Sequence, residues 1–217
     1  MARLPYYILK LGFFLLYNHL AFTYDLVAWL VSFGQWADWR RTGLQYLQTG
    51  PTLELAYGTG GLYLDMLTAG LEPVGIDLSP YMARLTHKKL QKQQRQGAIS
   101  QAQAQALPFT QGYFCNAIAT FPTPYIFEPE TLAEIYRVLS SNPTVPGRLI
   151  IVLQGELQGR GPLKWLLDWL YRITGERDPL APNPIALLAA AGFKARWVQG
   201  HYQSAQAHLI VAEKQIA

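Results

Sequence analysis

One segment constrains this chain more than any other: a glycine-rich turn between two short apolar runs that each carry an acid. Thr52-Leu-Glu-Leu-Ala-Tyr-Gly-Thr-Gly-Gly61 reads as a strand bearing Glu54 and then a turn, with a helix over residues 60–69 behind it. Pro73-Val-Gly-Ile-Asp-Leu-Ser79 reads as a second strand, ending in Asp77. Strand, turn, helix and strand open a doubly wound α/β sheet. In such a sheet the turn lets backbone approach a ligand, and an acid at the end of the second strand accepts hydrogen bonds from ribose hydroxyls. The pair points to a bound nucleoside.

Two cofactor classes compete for this signature. Ala56-x-Gly58-x-x-Gly61 is a degenerate match to the dinucleotide turn, which would make the chain an NAD(P)-dependent oxidoreductase. The alternative pattern puts an acid, Glu54, two residues before small-x-Gly-x-Gly. A carboxylate there repels a pyrophosphate and suits the ammonium of a methionine moiety.

Glu54 to Gly60 resembles motif I of class I S-adenosylmethionine-dependent methyltransferases, and Gly75-Ile-Asp77-Leu-Ser79 resembles their motif II. Further segments are similar in the same order. Ala104-Gln-Ala-Leu-Pro-Phe109 resembles the adenine-side loop, and Phe114-Cys-Asn-Ala-Ile-Ala-Thr-Phe121 the fourth strand. Leu132–Leu139 and Pro146–Val152 resemble the following helix and fifth strand. Ala21-Phe-Thr-Tyr24-Asp25 resembles the lead-in of ubiquinone/menaquinone-type members.

The resemblance implies a mostly parallel, seven-stranded Rossmann-like sheet with an antiparallel last strand and an N-terminal helical cap. It implies S-adenosylmethionine as cofactor. Backbone at Ala56, Tyr57, Gly58 and Gly60 would line the methionine side, with Glu54 on the ammonium and Tyr24 closing that end. Asp77 would take the ribose, and Leu78, Gln103, Ala104 and Leu107 the adenine. Four positions depart from the family pattern: Ala56 replaces a glycine, Gln103 an acid, and Cys115 and Asn116 stand where the fourth strand often has an acid. They keep a third class open, a non-catalytic binding or membrane-peripheral module with the same fold.

Composition bounds the rest. With 217 residues and 50% hydrophobic content, the chain suits a single domain, a helical cap over 1–49 and a core over 50–217. A net charge of +4 is mild, and the basic run from Arg84 to Arg95 has the spacing of a solvated helix face rather than of a nucleic-acid footprint. One cysteine and no C-x-x-C or H-E-x-x-H argue against disulfides and metal. The first 37 residues are apolar but interrupted by Arg3, Lys10, Asn18, His19 and Asp25, which disfavours a transmembrane span. Helices over Leu4–Leu20 and Ala21–Phe33 are expected to roof the cofactor, with membrane-peripheral contact as the alternative role of their apolar surface. The expected location is cytoplasmic.

Further elements are expected as a helix over 35–47, strands over 52–56, 72–77, 98–102, 114–120 and 147–153, and helices over 80–96, after Pro129, 162–174 and 184–191. The last strands fall at 193–199 and 207–212, antiparallel at the sheet edge. The acceptor pocket is expected among Phe121, Tyr125 and His201 and near the helix carrying Trp165 and Trp169. Its aromatic, weakly charged walls favour a small apolar acceptor such as a quinone or isoprenoid. The sequence leaves the oligomeric state open.

Overall fold

The computed structural model describes residue 32, residues 34–156 and residues 181–216. The expected helices over Leu4–Leu20 and Ala21–Phe33, Tyr24 within them, and the Trp165/Trp169 helix lie outside the described residues.

The strands are β1 (Thr52–Leu55), β2 (Pro73–Asp77), β3 (Ala98–Gln101), β4 (Asn116–Thr120), β5 (Arg148–Glu156), β6 (Phe193–Tyr202) and β7 (Ala205–Lys214). They form one seven-stranded sheet in the order β3-β2-β1-β4-β5-β7-β6. Pairings from β3 to β5 are parallel, whereas β7 runs antiparallel to both β5 and β6. The α-helices are α1 (Trp36–Arg41), α2 (Gly61–Thr68), α3 (Pro80–Lys92), α4 (Pro129–Val138) and α5 (Pro184–Ala190).

Strands β1, β4 and β5 are short runs of Leu, Ile, Ala and Val because both faces of a parallel sheet are covered. Local signals start the helices. The Ser79 hydroxyl accepts from Met82 N–H at 3.3 Å with Pro80 behind it, and Asn183 caps α5 in the same way before Pro184. At the other end of α4, the Lys214 ammonium donates to the Tyr136 and Leu139 carbonyls at 2.7 and 2.8 Å, where helix carbonyls would otherwise be orphaned.

Two apolar layers sandwich the sheet. On one face Leu53, Leu55, Ala117 and Ala119 pack with α4 and α5 through Leu132, Ile135 and Leu188. On the other, Ile118, Ile150 and Val152 pack with Trp39 of α1 and with Leu62 and Met66 of α2. Strand periodicity turns Glu54 away from Leu53 and Leu55, toward this second face.

The strand order reverses between β1 and β4, since β1 is flanked by β2 on one side and β4 on the other. Such a switch point opens a crevice beyond the carboxyl ends of the two strands. That crevice is bounded by residues 56–60 and 120–121.

Some elements differ from expectation. The helix expected over 35–47 ends at Arg41 and gives way to a 3₁₀ turn, Leu44–Tyr46. The chain passes close to the sheet there, since a Cβ at Gly43 would meet Ile118 and Val152 at 2.9 and 3.0 Å. Strand β4 begins at Asn116 rather than Phe114, which makes only an isolated bridge to Leu139. The Asn116 amide bonds both ways with Gln48 backbone and donates to the Thr52 hydroxyl. It therefore ties the amino ends of β1 and β4 together, at the far edge from the crevice. The last two strands run longer than expected, to a tight turn in which Gln203 takes φ +51°.

Candidate active site

The crevice is built from the turn after β1. Ala56 leaves the strand with φ +54°. Tyr57 N–H donates to the Ile76 carbonyl, and Gly60 N–H closes the turn onto the Tyr57 carbonyl at 2.9 Å. Gly60 has φ +75°, and a Cβ there would lie 2.5 Å from Thr86 Cγ2, so both backbone and space require glycine. The Thr86 hydroxyl donates to the Gly58 carbonyl at 3.0 Å and fixes the turn to α3. The Tyr57 side chain is buried against Gly75 of β2, leaving its backbone to face the crevice.

Asp77, 9% exposed, stands beside this turn. Its Oδ2 accepts from Gly58 N–H and its Oδ1 from Ser79 N–H, each at 2.8 Å. Burial raises its pKa, and the N–H groups of Ser79, Gly58 and Leu78 act in the opposite direction. A carboxylate has about four lone-pair sites, so two backbone bonds leave room for a diol.

Glu54 is a different case. It is 2% exposed, and its Oε2 is buried without a hydrogen-bond partner among the described residues. Burial pushes its carboxyl well above the usual range; the Arg40 charge opposes this, and the Asp77 and Asp65 charges add to it. A buried acceptor with no donor is costly, and a site of this kind is where a cationic ligand group gains most.

Helix α1 supplies the wall. Arg40 donates from Nε to Asp65 of α2 at 3.1 Å, and Arg41 donates to the other Asp65 oxygen at 2.9 Å. The Arg40 guanidinium covers Gly61 so closely that a Cβ there would sit 2.7 Å from Cζ. Trp36, one turn earlier, stacks on Phe121 with centroids 4.2 Å apart. Phe121 itself has φ +48° and donates from N–H to the Val152 carbonyl at 2.8 Å. Uncommon backbone conformations thus end both strands that flank the switch point, at Ala56 and Phe121.

Together these residues enclose a cleft of about 410 Å³, open mouth included. Glu54, Ala56, Tyr57, Gly58, Thr120 and Phe121 all line it, whereas Trp36, Arg40 and Leu62 line it without having been singled out from sequence. The i, i+4 spacing of Trp36 and Arg40 was the available signal, since it puts both on one helix face. Beyond Asp77, Leu78 is 62% exposed with its side chain open to a planar group. Gln103 is exposed nearby, but Ala104 and Leu107 are buried in the larger apolar layer. Leu107 N–H is held by Glu134 at 2.7 Å. Tyr125 is half-buried in the 3₁₀ turn Pro124–Phe127. His201 lies within β6 rather than after it; its carbonyl accepts from Gln45, and it is not among the cleft residues. No group of three metal-ligating side chains occurs among the described residues.

A model of a methyltransferase domain matches residues 52–142. The demethylmenaquinone methyltransferase of Thermus thermophilus is 31% identical over 209 residues, covering 84% of this chain and 93% of that protein. The chain belongs to the class I S-adenosylmethionine-dependent methyltransferases. A ubiquinone/menaquinone biosynthesis C-methyltransferase from Syntrophotalea carbinolica is 32% identical over 163 residues, 72% of this chain, and the chain spans 65% of that relative's length. In fold, the chain is similar to the geranyl diphosphate C-methyltransferase of Streptomyces coelicolor, with a TM-score of 0.59, 15% identity, and coverage of 81% and 74% of the two chains.

The methyltransferase uses S-adenosylmethionine, and the cleft fits it. The orphaned Glu54 oxygen asks for a cation, the glycine turn admits a backbone-close ligand, and Asp77 keeps lone pairs for a ribose. Glu54 in the cleft wall also disfavours the pyrophosphate of the dinucleotide alternative.

Proposed function

We propose that this methyltransferase alkylates a small apolar acceptor of the quinone or isoprenoid class. The observation that carries this reading is the cleft lining, where Trp36 against Phe121 forms an aromatic wall beside Thr120. The charged residues of that lining are Glu54 and Arg40. The names of two similar proteins support it, one acting on demethylmenaquinone and the other on geranyl diphosphate.

The cofactor supplies an activated methyl carbon for in-line displacement. The chain's own part is to position: Glu54 takes the ammonium, the backbone of Ala56, Tyr57, Gly58 and Gly60 lines the methionyl side, and Asp77 holds the ribose. Leu78 and Gln103 flank the adenine, with Ala104 and Leu107 shaping that loop from the core side. Tyr24 closes the methionyl end. Orientation of this kind contributes about 7–11 kcal/mol to a barrier. Phe121 contacts the acceptor from the cleft lining, while Tyr125 and His201, both outside that lining, are the outer candidates for acceptor contact.

The 217 residues act as one domain on the cytoplasmic side, and the apolar segment before residue 34 gives access to an acceptor dissolved in lipid. No helix among the described residues is long and apolar enough to cross a membrane.

A substrate screen with radiolabelled cofactor tests this reading. Methylation of short-chain quinones or prenyl compounds is expected, and Phe121→Ala should raise their KM with cofactor affinity unchanged. Turnover confined to highly charged polar acceptors would sink the proposal.

A further inference from the structure

The chain's excess positive charge is concentrated in one place. Residues 78–127 contain five Lys and Arg, all between Arg84 and Arg95, and no Asp or Glu. The rest of the chain holds the other 13 of the 18 basic residues and all 14 acids, so it is close to neutral. Helix α3 carries four of the five. Met82, Thr86 and Leu90 form its buried row. Arg84, Lys88 and Lys92 form a second row with the same four-residue step, two residues out of phase. Two residues turn a helix by about 200°, so the basic row points away from the sheet. All three residues are exposed, as is Arg95 in the turn after the helix.

The fold gains little from this row. Arg84 with Lys88, and Lys88 with Lys92, are like charges one turn apart, which disfavours a helix. Within the row only Lys92 sits in the last turn, where the helix dipole favours a cation. Arg84 lies over the Tyr81 ring at 5.1 Å. None of Arg84, Lys88, Lys92 and Arg95 forms an ion pair among the described residues. Their charges are left for a partner outside the chain. The row stands on the convex side of a helix, whereas sites for single-stranded nucleic acid join a charged groove to stacking aromatics. A layer of anionic head groups asks for no groove and no register, only for several cations that reach one plane.

We propose that the outer face of α3 is an electrostatic docking surface for an anionic lipid bilayer, with Arg84, Lys88, Lys92 and Arg95 on the head groups. A cluster of about four to eight basic side chains on one helix suffices for such a contact, each contributing about five-fold to partitioning. The apolar side of α3 is already buried, with Leu90 against Tyr63 and Leu64 of α2. The contact is therefore with head groups and involves no insertion into the acyl region. Helix α3 starts just after Asp77, at the carboxyl end of β2, so the row runs along the molecule from its crevice end. The inference rests on the charge distribution and stands whichever acceptor is methylated. It differs from contact through the apolar segment before residue 34, which salt would not weaken.

Co-sedimentation with vesicles tests it, using phosphatidylcholine alone and phosphatidylcholine mixed with phosphatidylglycerol, each in low and in high salt. Wild type should bind the mixed vesicles in low salt, leave them in high salt, and bind phosphatidylcholine alone far more weakly. Lys88→Gln with Lys92→Gln should weaken binding by about twenty-five-fold, the single-charge factor taken twice. Arg84→Gln with Arg95→Gln should do the same, and neither pair should lower the Tm. Equal binding to both vesicle types that survives high salt would overturn the proposal in favour of the apolar segment before residue 34. Unchanged binding in both paired variants, or no binding of wild type to any vesicle, would overturn it outright. Tighter binding to a duplex DNA or RNA of mixed sequence than to the mixed vesicles, at the same salt, would overturn lipid as the partner. Failure of the substrate screen would count against the acceptor class and leave this surface standing.

Discussion

The two acids at the carboxyl ends of β1 and β2 are neighbours in one sheet, yet they are held in opposite ways. Asp77 is satisfied by the protein: both oxygens accept backbone N–H groups, one from the glycine turn and one from the start of α3. Glu54 is more deeply buried and has an oxygen with no partner among the described residues. The nucleoside end of the cleft is therefore preorganised without ligand, while the amino-acid end is held at a cost that a ligand removes. The contrast assigns different kinds of work to chemically similar side chains. Asp77 builds the turn and then uses its spare lone pairs, whereas Glu54 does nothing for the empty fold.

Substitution at Asp77 should have the largest effect, because it breaks both fold and site. Asp77→Asn presents an NH₂ group to one of two backbone donors, which leaves a donor facing a donor. Loss of about 1.5–3 kcal/mol in S-adenosylhomocysteine affinity is expected, with a lower Tm for the ligand-free protein. Calorimetry together with a melting curve checks both, and an unchanged Tm would show that the Gly58 and Ser79 bonds do not hold the turn.

Glu54→Gln should separate the two quantities. Affinity should fall by about 1–3 kcal/mol, while the ligand-free protein becomes more stable near neutral pH. The sign follows from the raised pKa, whose first cause is burial. A carboxyl whose folded pKa lies above its unfolded value of 4.5 favours the fold below that value. That contribution is lost as pH rises through the folded pKa. Wild-type Tm should therefore decline relative to Glu54→Gln as pH climbs from 4.5 toward neutrality. Parallel Tm profiles for the two proteins would refute the idea that Glu54 is strained.

The smallest effect is expected at Ala56. A left-handed conformation costs a non-glycine residue about 1–2 kcal/mol, and glycine returns about 0.5–1 kcal/mol of that through unfolded-state entropy. Ala56→Gly should thus raise stability by at most about 1.5 kcal/mol, and chemical denaturation should show it with cofactor affinity unchanged.

The parallel half of the sheet was legible because glycine and acid punctuation marks strand ends locally, as at Gly58–Gly61 and Asp77. Trp36 and Arg40 were not, because their place in the cleft depends on where α1 lands on the sheet. That landing is set by long-range packing of Trp39 and Thr42 against Gly155 and Gly200. Ala104 and Leu107 were expected at the adenine but pack inward, since small and apolar side chains in a loop satisfy a core as readily as a ligand. Asn116, read as a missing acid, is a tie between β1, β4 and the segment before them, a role that polar hydrogen bonds rather than charge fulfil.

Gly155 acts at a distance from the cleft. A Cβ built there would fall 2.0 Å from the Trp39 ring, and Trp39 immediately precedes Arg40. One absent methyl group near the end of β5 thus serves as the seat for the wall that bears Trp36 and Arg40. A side chain at that seat would act as a wedge, prying the wall off its bed and mistuning cofactor and acceptor selection together, from outside the cleft lining.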